Sequence, residues 1–117
     1  MNCIFCQIIN GQIPVDKVYE DDKILAFKDI HPVTPTHILI IPKKHFVSLN
    51  EMSGQDMMIF SDMIYKAKEL AKVCGIDQSG YRLVVNTGPD AGQSVFHTHL
   101  HLLGGRKMPF HFKENPD

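Results

Sequence analysis

The sequence contains no tryptophan and only three cysteines, and its positive and negative charges nearly cancel. An odd, small number of cysteines does not suit a disulfide framework, so we expect reduced thiols and a cytoplasmic protein. Twelve Lys and Arg residues against 13 Asp and Glu residues leave no basic block to neutralise a polynucleotide backbone. We therefore expect neither a disulfide scaffold nor a nucleic-acid partner.

Long apolar runs are missing as well. No stretch approaches the roughly 20 apolar residues that span a bilayer, and residues 1–6 have neither the basic stretch nor the apolar run of a signal peptide. We expect a soluble protein without a membrane partner. Its 117 residues fit one domain over residues 1–117.

The spacing of apolar residues predicts two helices and five strands. A short helix is expected over residues 3–10, and a long amphipathic helix from Ser53, a good N-cap, to Cys74. Strands are predicted over residues 15–20, 24–28, 37–41, 81–87 and 97–103. Because the helices do not alternate regularly with the strands, the pattern favours an α+β domain with a five-stranded, mainly antiparallel sheet and an irregular tail over residues 107–117.

Three of the seven histidines alternate along the last predicted strand, at His97, His99 and His101. Side chains two apart in a strand share one face at about 7 Å spacing, and three ligands in such a line cannot close around one zinc ion. Two interpretations remain. The histidines are either half-exposed polar side chains on an ordinary sheet face or catalytic residues. Ordinary strand faces favour β-branched and aromatic residues, so we favour the catalytic interpretation.

A glycine-bearing loop, residues 88–94, precedes the histidines. Backbone N–H groups near Gly92, Gln93 and Ser94 could surround an anion, because glycine lets the chain approach a ligand closely. Such a loop is more often only a turn.

The run QSVFHTHLHLLGGR, residues 93–106, resembles the signature of the histidine-triad (HIT) family, and its Gly-Gly-Arg ending is similar to the Hint branch. The resemblance continues through residues 4–9, 13–14, 26–30, 35–37, 41–45 and 80–86, or about nine-tenths of the chain without the tail. Thr98 departs from the family's apolar position. It is expected on the face opposite the histidines, so the departure concerns local packing.

The resemblance implies hydrolysis of purine nucleoside phosphoramidates without an organic cofactor. His99 would attack the α-phosphorus, and water would then release a nucleotidyl-histidine. His101 and Ser94 would donate to the phosphoryl oxygens, and Ser94 and His37 would lie near the departing amine. The rival within this class is a dinucleoside polyphosphate hydrolase; the rival from another class is a nucleotide-binding or scaffold module with incidental turnover.

The resemblance also implies a purine nucleotide site. Asp29 would accept hydrogen bonds from the ribose hydroxyls. Asn86 aligns with a phosphate contact, or it is a polar residue beside a turn. The family's other nucleotide contacts correspond to Phe5, Ile8, Phe27 and Ile30 around the base, and to Gly92, Gln93, Ser94, His99 and His101 around the phosphate. For the four apolar residues, core packing is the commoner use.

Cys3 and Cys6 form a Cys-x-x-Cys pair, which on a helix places both thiols on one side and is a common half of a zinc site. Some family members with this pair hold structural zinc with two histidines, which correspond here to His45 and His97. The alternatives are two buried free thiols, or a redox pair, which is expected near a βαβ pattern that this sequence lacks. We favour a closed Cys₂His₂ zinc site, and expect Cys74 to be a packed small hydrophobe.

A homodimer is the last expectation, from the resemblance and from the apolar residues of the long helix. These residues are Met57, Phe60, Met63, Ile64 and Ala67. The tail lacks the tryptophan that many members of the Hint branch carry, which leaves the physiological amine open.

Overall fold

The computed structural model describes residues 3–112, so residues 113–117 of the predicted tail lie outside the described residues. The helices are α1 (Ile4–Ile9) and α2 (Met57–Val73), with short 3₁₀ turns at Leu49–Glu51 and Pro89–Ala91. The strands are β1 (Lys17–Glu20), β2 (Ile24–Lys28), β3 (Thr36–Pro42), β4 (Tyr81–Val84) and β5 (Leu100–Gly104). Every pairing is antiparallel in the order β1-β2-β3-β5-β4, which confirms the predicted α+β fold.

The sheet separates two apolar clusters, because successive side chains of a strand point to opposite faces. On one face, α2 packs Phe60, Met63 and Ala67 against residues that include Ile40 and Leu102. The other face carries α1 and six buried residues: Phe5, Ile8, Leu25, Phe27, Leu39 and Ile41. The strand β3, almost wholly buried, is central as predicted. No helix in the described part of the chain is long and apolar enough to cross a membrane.

The last strand begins three residues later than predicted, at Leu100. Its ladder with β3 starts where Leu100 faces Ile40, and continuing it would place Thr98 opposite Pro42, which has no N–H to donate. The Thr98 N–H instead donates to the backbone oxygen of Phe46 at 2.7 Å. His97 and His99 therefore lie before the strand, and only His101 lies within it. The strand predicted over residues 81–87 likewise stops at Val84.

The long helix begins at Met57, not at Ser53, because residues 54–56 form a turn. Ser53 still takes part in capping the N-terminal end of this helix. Its hydroxyl accepts from the Asp56 N–H at 3.2 Å, and the Asp56 carboxylate accepts from the Ser53 N–H at 2.9 Å. This reciprocal pair is a capping box one turn before the regular helix.

The expectation of a packed Cys74 was wrong, because its side chain is exposed. The helix closes in a Schellman motif, in which Gly75, with φ +74°, donates to Lys72 and Ile76 donates to Ala71. The chain thereby turns Ile76, only 5% exposed, under the helix end. Ile76, and not Cys74, joins the core cluster at this end of the helix.

Candidate active site

The three alternating histidines have buried rings, although they do not share one strand. The ring centroids of His99 and His101 are 5.0 Å apart, and the edge of Phe5 meets the rings of His97 and His99 at 5.8 and 5.2 Å. None of the three histidines is more than 1% exposed. His97 differs from the other two, because its ring contacts Cys3, Cys6 and His45.

The hydrogen bonds of His99 determine its tautomer. Its Nδ1 lies 2.7 Å from the backbone oxygen of His97, and a carbonyl can only accept, so Nδ1 carries the proton. Nε2 is then left with a lone pair. This atom is buried and has no hydrogen-bond partner among the described residues. A neutral imidazole with an uncommitted lone pair is the form of histidine that attacks an electrophile.

The hydrogen bonds of His101 give the opposite result. Val33 donates its N–H to His37 Nδ1 at 3.2 Å, so the proton of neutral His37 is on Nε2. That N–H donates to His101 Nδ1 at 2.9 Å, which places the proton of His101 on its own Nε2. Neighbouring rings thus combine a lone pair on His99 with an N–H donor on His101. This combination can attack a phosphorus atom and stabilise its oxygens together.

Asp29 follows β2 and joins the same cluster. One carboxylate oxygen accepts from the His31 N–H at 2.8 Å, and the other lies 3.4 Å from His37 Nε2. Asp29, His37 and His101 are close enough to share a metal ion. However, the bond from Val33 requires a proton on the His37 nitrogen that would face the ion. The hydrogen bonding therefore suits a chain of donors better than a metal site.

The predicted base-binding residues divide into two groups. Phe5, Ile8 and Phe27 lie together in the α1 cluster, with the Phe5 and Phe27 rings 5.8 Å apart and nearly perpendicular. Ile30 stands apart in the loop after β2 and is 79% exposed. The structure brings Phe5 beside His99 and leaves Ile30 at the surface.

The glycine-bearing loop is held together by Gln93. Its side chain accepts from the Gly88 N–H at 2.8 Å and donates to the Val47 oxygen at 2.6 Å. The N–H groups of Gly92 and Gln93 bond within the loop, to Pro89 and Gly88. Of the predicted anion donors in this loop, Ser94 is the exposed one. Asn86 is half-buried just beyond β4, with bonding partners of its own.

The predicted metal ligands converge at the N-terminus of α1. The ligand atoms of Cys3, Cys6, His45 and His97 all lie within 4.8 Å of one another. Each sulfur lies 3.4 Å from a histidine Nδ1, Cys3 from His97 and Cys6 from His45, and the two Nδ1 atoms are 3.1 Å apart. Tetrahedral zinc with ordinary bond lengths separates S and N by about 3.6 Å and two N atoms by about 3.3 Å. The four residues therefore fit zinc.

The surroundings of His97 agree with this role. Its Nε2 donates to the backbone oxygen of Pro42 at 2.8 Å, which leaves the Nδ1 lone pair facing the cysteines. Burial, the largest cause, lowers the pKa of His97 to about 4 although the Pro42 bond acts in the other direction, so the ring is neutral near pH 7. Burial and the neighbouring Cys3 raise the pKa of the Cys6 thiol above 9.0.

Two contributors to the site escaped the sequence analysis, Pro42 and Val33. Both act through backbone atoms, which leave no signature in the side-chain pattern. A signal for Pro42 was nonetheless present, because a proline that ends a central strand cannot donate to the ladder. Its carbonyl oxygen remains an acceptor for a neighbouring ring, which here is His97.

Comparison with known proteins adds a family. A model of the HIT domain matches residues 10–108. Purine nucleoside phosphoramidase of Escherichia coli (strain K12) is 47% identical over 105 residues, which cover 90% of this chain and 88% of that protein. Protein HitA of Neisseria gonorrhoeae is 44% identical over 103 residues, covering 88% and 95%. The crystal structure of a HIT family hydrolase from Legionella pneumophila Philadelphia 1 has 50% identity and a TM-score of 0.91, covering 93% of this chain and 97% of that one.

Proposed function

Because the chain belongs to the HIT family and is a hydrolase of that family, we propose that it cleaves purine nucleoside 5′-phosphoramidates at the P–N bond. The observation that carries the proposal is the opposed protonation of two adjacent rings. His99 offers a lone pair at Nε2, and His101 offers an N–H beside it. A phosphoryl group needs both, a nucleophile at phosphorus and a donor at its oxygens.

The proposed reaction has two displacements at phosphorus. In the first, His99 Nε2 forms a bond to phosphorus while the P–N bond breaks, and the amine leaves with its electron pair and a proton. We assign the supply of that proton to the Ser94 hydroxyl and the His37–His101 pair. In the second, water attacks the nucleotidyl-histidine, the N–P bond breaks, a proton of the water replaces the one given to the amine, and the nucleoside monophosphate leaves. Through both steps, the His97 oxygen holds the Nδ1 proton of His99.

We assign the nucleotide contacts from the same surface. Asp29 accepts from the ribose hydroxyls, since its carboxylate follows β2 and lies beside the histidines. Ile30 would cover one side of the base from its exposed position in the loop after β2. Phe5, Ile8 and Phe27 would provide apolar contacts from α1 and β2. Asn86, Gly92, Gln93 and Ser94 surround the phosphate, with Ser94 as the direct donor.

A hydrolysis screen tests the proposed activity. Adenosine 5′-phosphoramidate, adenylated lysine and diadenosine polyphosphates are supplied separately to the purified protein, and release of AMP is followed. We expect turnover of the two P–N substrates at least tenfold above that of the polyphosphates. Preferential cleavage of the polyphosphates would make the protein a dinucleoside polyphosphate hydrolase. Binding of AMP without turnover of any substrate would indicate a nucleotide-binding module.

We further propose that the Cys₂His₂ cluster holds structural zinc. Cys3, Cys6, His45 and His97 would be its four protein ligands, which leaves no open position for substrate. Bound zinc would cross-link α1 to the segments that follow β3 and precede β5. It would take no part in the displacements at His99. The reduced thiols that this site needs also support our proposal of a cytoplasmic location.

A homodimer is the remaining proposal, and it rests on an uncovered apolar surface of α2. Phe60, Met63 and Ala67 of the predicted stripe are buried in the chain's own core, whereas Met57 and Ile64 are 39% and 41% exposed. Tyr65, 59% exposed, extends this surface. The apolar surface lies beside β4, which is an edge strand of the sheet. A second copy of the chain would cover both the apolar surface and the strand edge.

A further inference from the structure

We propose that Arg106 is a positioning residue for this reaction, acting on His101 through Val33 and His37. The inference rests on the proposed function and gives the Gly-Gly-Arg ending a physical role. Arg106 touches neither His99 nor His101 among its recorded contacts; it holds the loop between β2 and β3 from outside. Its effect passes to the site by a series of single hydrogen bonds.

The series has one direction. Arg106 Nη2 donates to the backbone oxygen of Val33 at 3.1 Å. Val33 then donates its own N–H to His37 Nδ1 at 3.2 Å, and His37 Nε2 donates to His101 Nδ1 at 2.9 Å. The Arg106 bond holds Val33 in place through its carbonyl oxygen, and each of the two bonds after it requires a histidine Nδ1 that accepts. The last member, His101, is therefore left with its proton on the nitrogen that faces the phosphoryl group.

Gly105 allows Arg106 to reach this loop. Gly105 has φ +99°, in the region that favours glycine, and a Cβ there would lie 3.0 Å from Pro35. The chain thus turns closely against Pro35. This turn places the guanidinium over Val33.

The loop itself offers Val33 little other support. Pro32 and Pro35 have no N–H, and the loop's other recorded bonds, from the Thr34 hydroxyl to the Thr36 oxygen and from the His31 N–H to Asp29, do not involve Val33. Without Arg106, the Val33 N–H is freer to leave His37. His37 could then carry its proton on Nδ1, accept from His101 through Nε2, and draw the His101 proton away from the substrate side. The Asp29 carboxylate, 3.4 Å from His37 Nε2, favours the original tautomer and limits the change.

The test replaces Arg106 in the full-length protein and reads the tautomers directly. In Arg106→Ala, ¹⁵N-histidine NMR should show a smaller population of the Nε2–H tautomer for His37 and His101. On adenosine 5′-phosphoramidate, kcat should fall about three- to tenfold, the usual weight of one hydrogen bond, with KM changed less than about twofold. Arg106→Lys keeps a cationic donor and should retain at least about half of wild-type kcat.

Arg82→Ala is the matched control. Arg82 donates to the Pro109 oxygen and, like Arg106, lies near the Phe112 ring, but none of its recorded bonds reaches the Val33 loop. It should leave both the tautomers and kcat near wild type. Wild-type tautomers in Arg106→Ala, or an equal loss of kcat in Arg82→Ala, would overturn the proposal. If the wild-type protein cleaves no phosphoramidate, the proposed function fails, whereas the NMR comparison still decides the role of Arg106.

Discussion

The backbone oxygen of His97 accepts the Nδ1 proton of His99 at 2.7 Å, while the His97 ring faces the two cysteines. One residue therefore serves two sites. Its ring nitrogen belongs to the proposed zinc site, and its carbonyl oxygen orients His99, the proposed nucleophile. The edge of Phe5 packs against both rings and gives them a second connection through α1. A change in the packing of the Cys₂His₂ cluster should therefore also change the orientation of the His99 ring.

His99→Ala should abolish turnover while preserving nucleotide binding. The substitution removes the atom that bonds to phosphorus and leaves His101 and Ser94 in place, so kcat should fall by at least about 10³-fold. Rapid quench and mass spectrometry should detect a nucleotidyl adduct in the wild type alone, and calorimetry should show AMP binding in both proteins. His111→Ala, which removes an exposed imidazole, is the control. Near wild-type turnover in His99→Ala would make His101 the next candidate nucleophile.

His101→Ala should slow the reaction without preventing the adduct. In the proposed mechanism, His101 donates to charge that develops on the phosphoryl oxygens and forms no bond to phosphorus. Removal of one such donor usually costs about 10²- to 10³-fold in kcat. Single-turnover measurements should therefore show the same nucleotidyl-histidine, formed more slowly. Absence of the adduct in a folded His101→Ala protein would contradict this division of roles.

The sequence predicted the architecture because the apolar pattern changes period where the elements change. Ile38 to Ile41 form a continuous apolar run, which fits a strand covered on both faces, and β3 is central. Boundaries were less predictable. The alternation of His97, His99 and His101 predicted one strand, but Pro42 ends the ladder opposite Thr98, and this depends on a register that the local sequence does not contain.

The sequence predicted those parts of the candidate site that consist of side chains. The ligands Cys3, Cys6, His45 and His97 and the pair His99 and His101 are visible as residue types at characteristic spacings. The protonation of the rings was not visible. It depends on backbone atoms of Val33, Pro42 and His97. Almost any residue type could supply these atoms, and only the fold brings them together.

Zinc should be present at about one equivalent in protein purified without chelator, with two sulfur and two nitrogen ligands by X-ray absorption. Zinc at 100 times its dissociation constant stabilises the folded state by about 2.7 kcal/mol, so its removal should lower the unfolding midpoint by about 10 °C. Cys6→Ser should lose zinc and show the same lowered midpoint. Cys74→Ser, at an exposed thiol, should keep both properties. Zinc-free native protein of undiminished stability would remove the basis for the site.

Ile64→Asp should convert a dimer into monomers. Ile64 is partly exposed within one chain, so a carboxylate there can remain hydrated in the monomer but would be buried against a second copy. Light scattering at micromolar concentration should give twice the chain mass for the wild type and the chain mass for the variant. Val73→Asp, on the same helix at a position 82% exposed, should stay dimeric. A wild-type protein that is monomeric at this concentration would exclude the proposed dimer.

Asp29→Asn should weaken nucleotide binding only when the ligand has ribose hydroxyls. A carboxylate that accepts from hydroxyl groups is replaced by a neutral amide, and the lost charged bonds should reduce AMP affinity about 10- to 100-fold. The 2′,3′-dideoxy analogue has no hydroxyls to donate, so wild type and Asp29→Asn should bind it equally. Asp16→Asn removes an exposed carboxylate that pairs with Lys28 and should bind both ligands as the wild type does.

Because Asp29 also lies 3.4 Å from His37 Nε2, a general disturbance of the histidines would weaken the binding of both ligands alike. Equal losses for AMP and the analogue would therefore place Asp29 in the support of His37 instead of at the ribose.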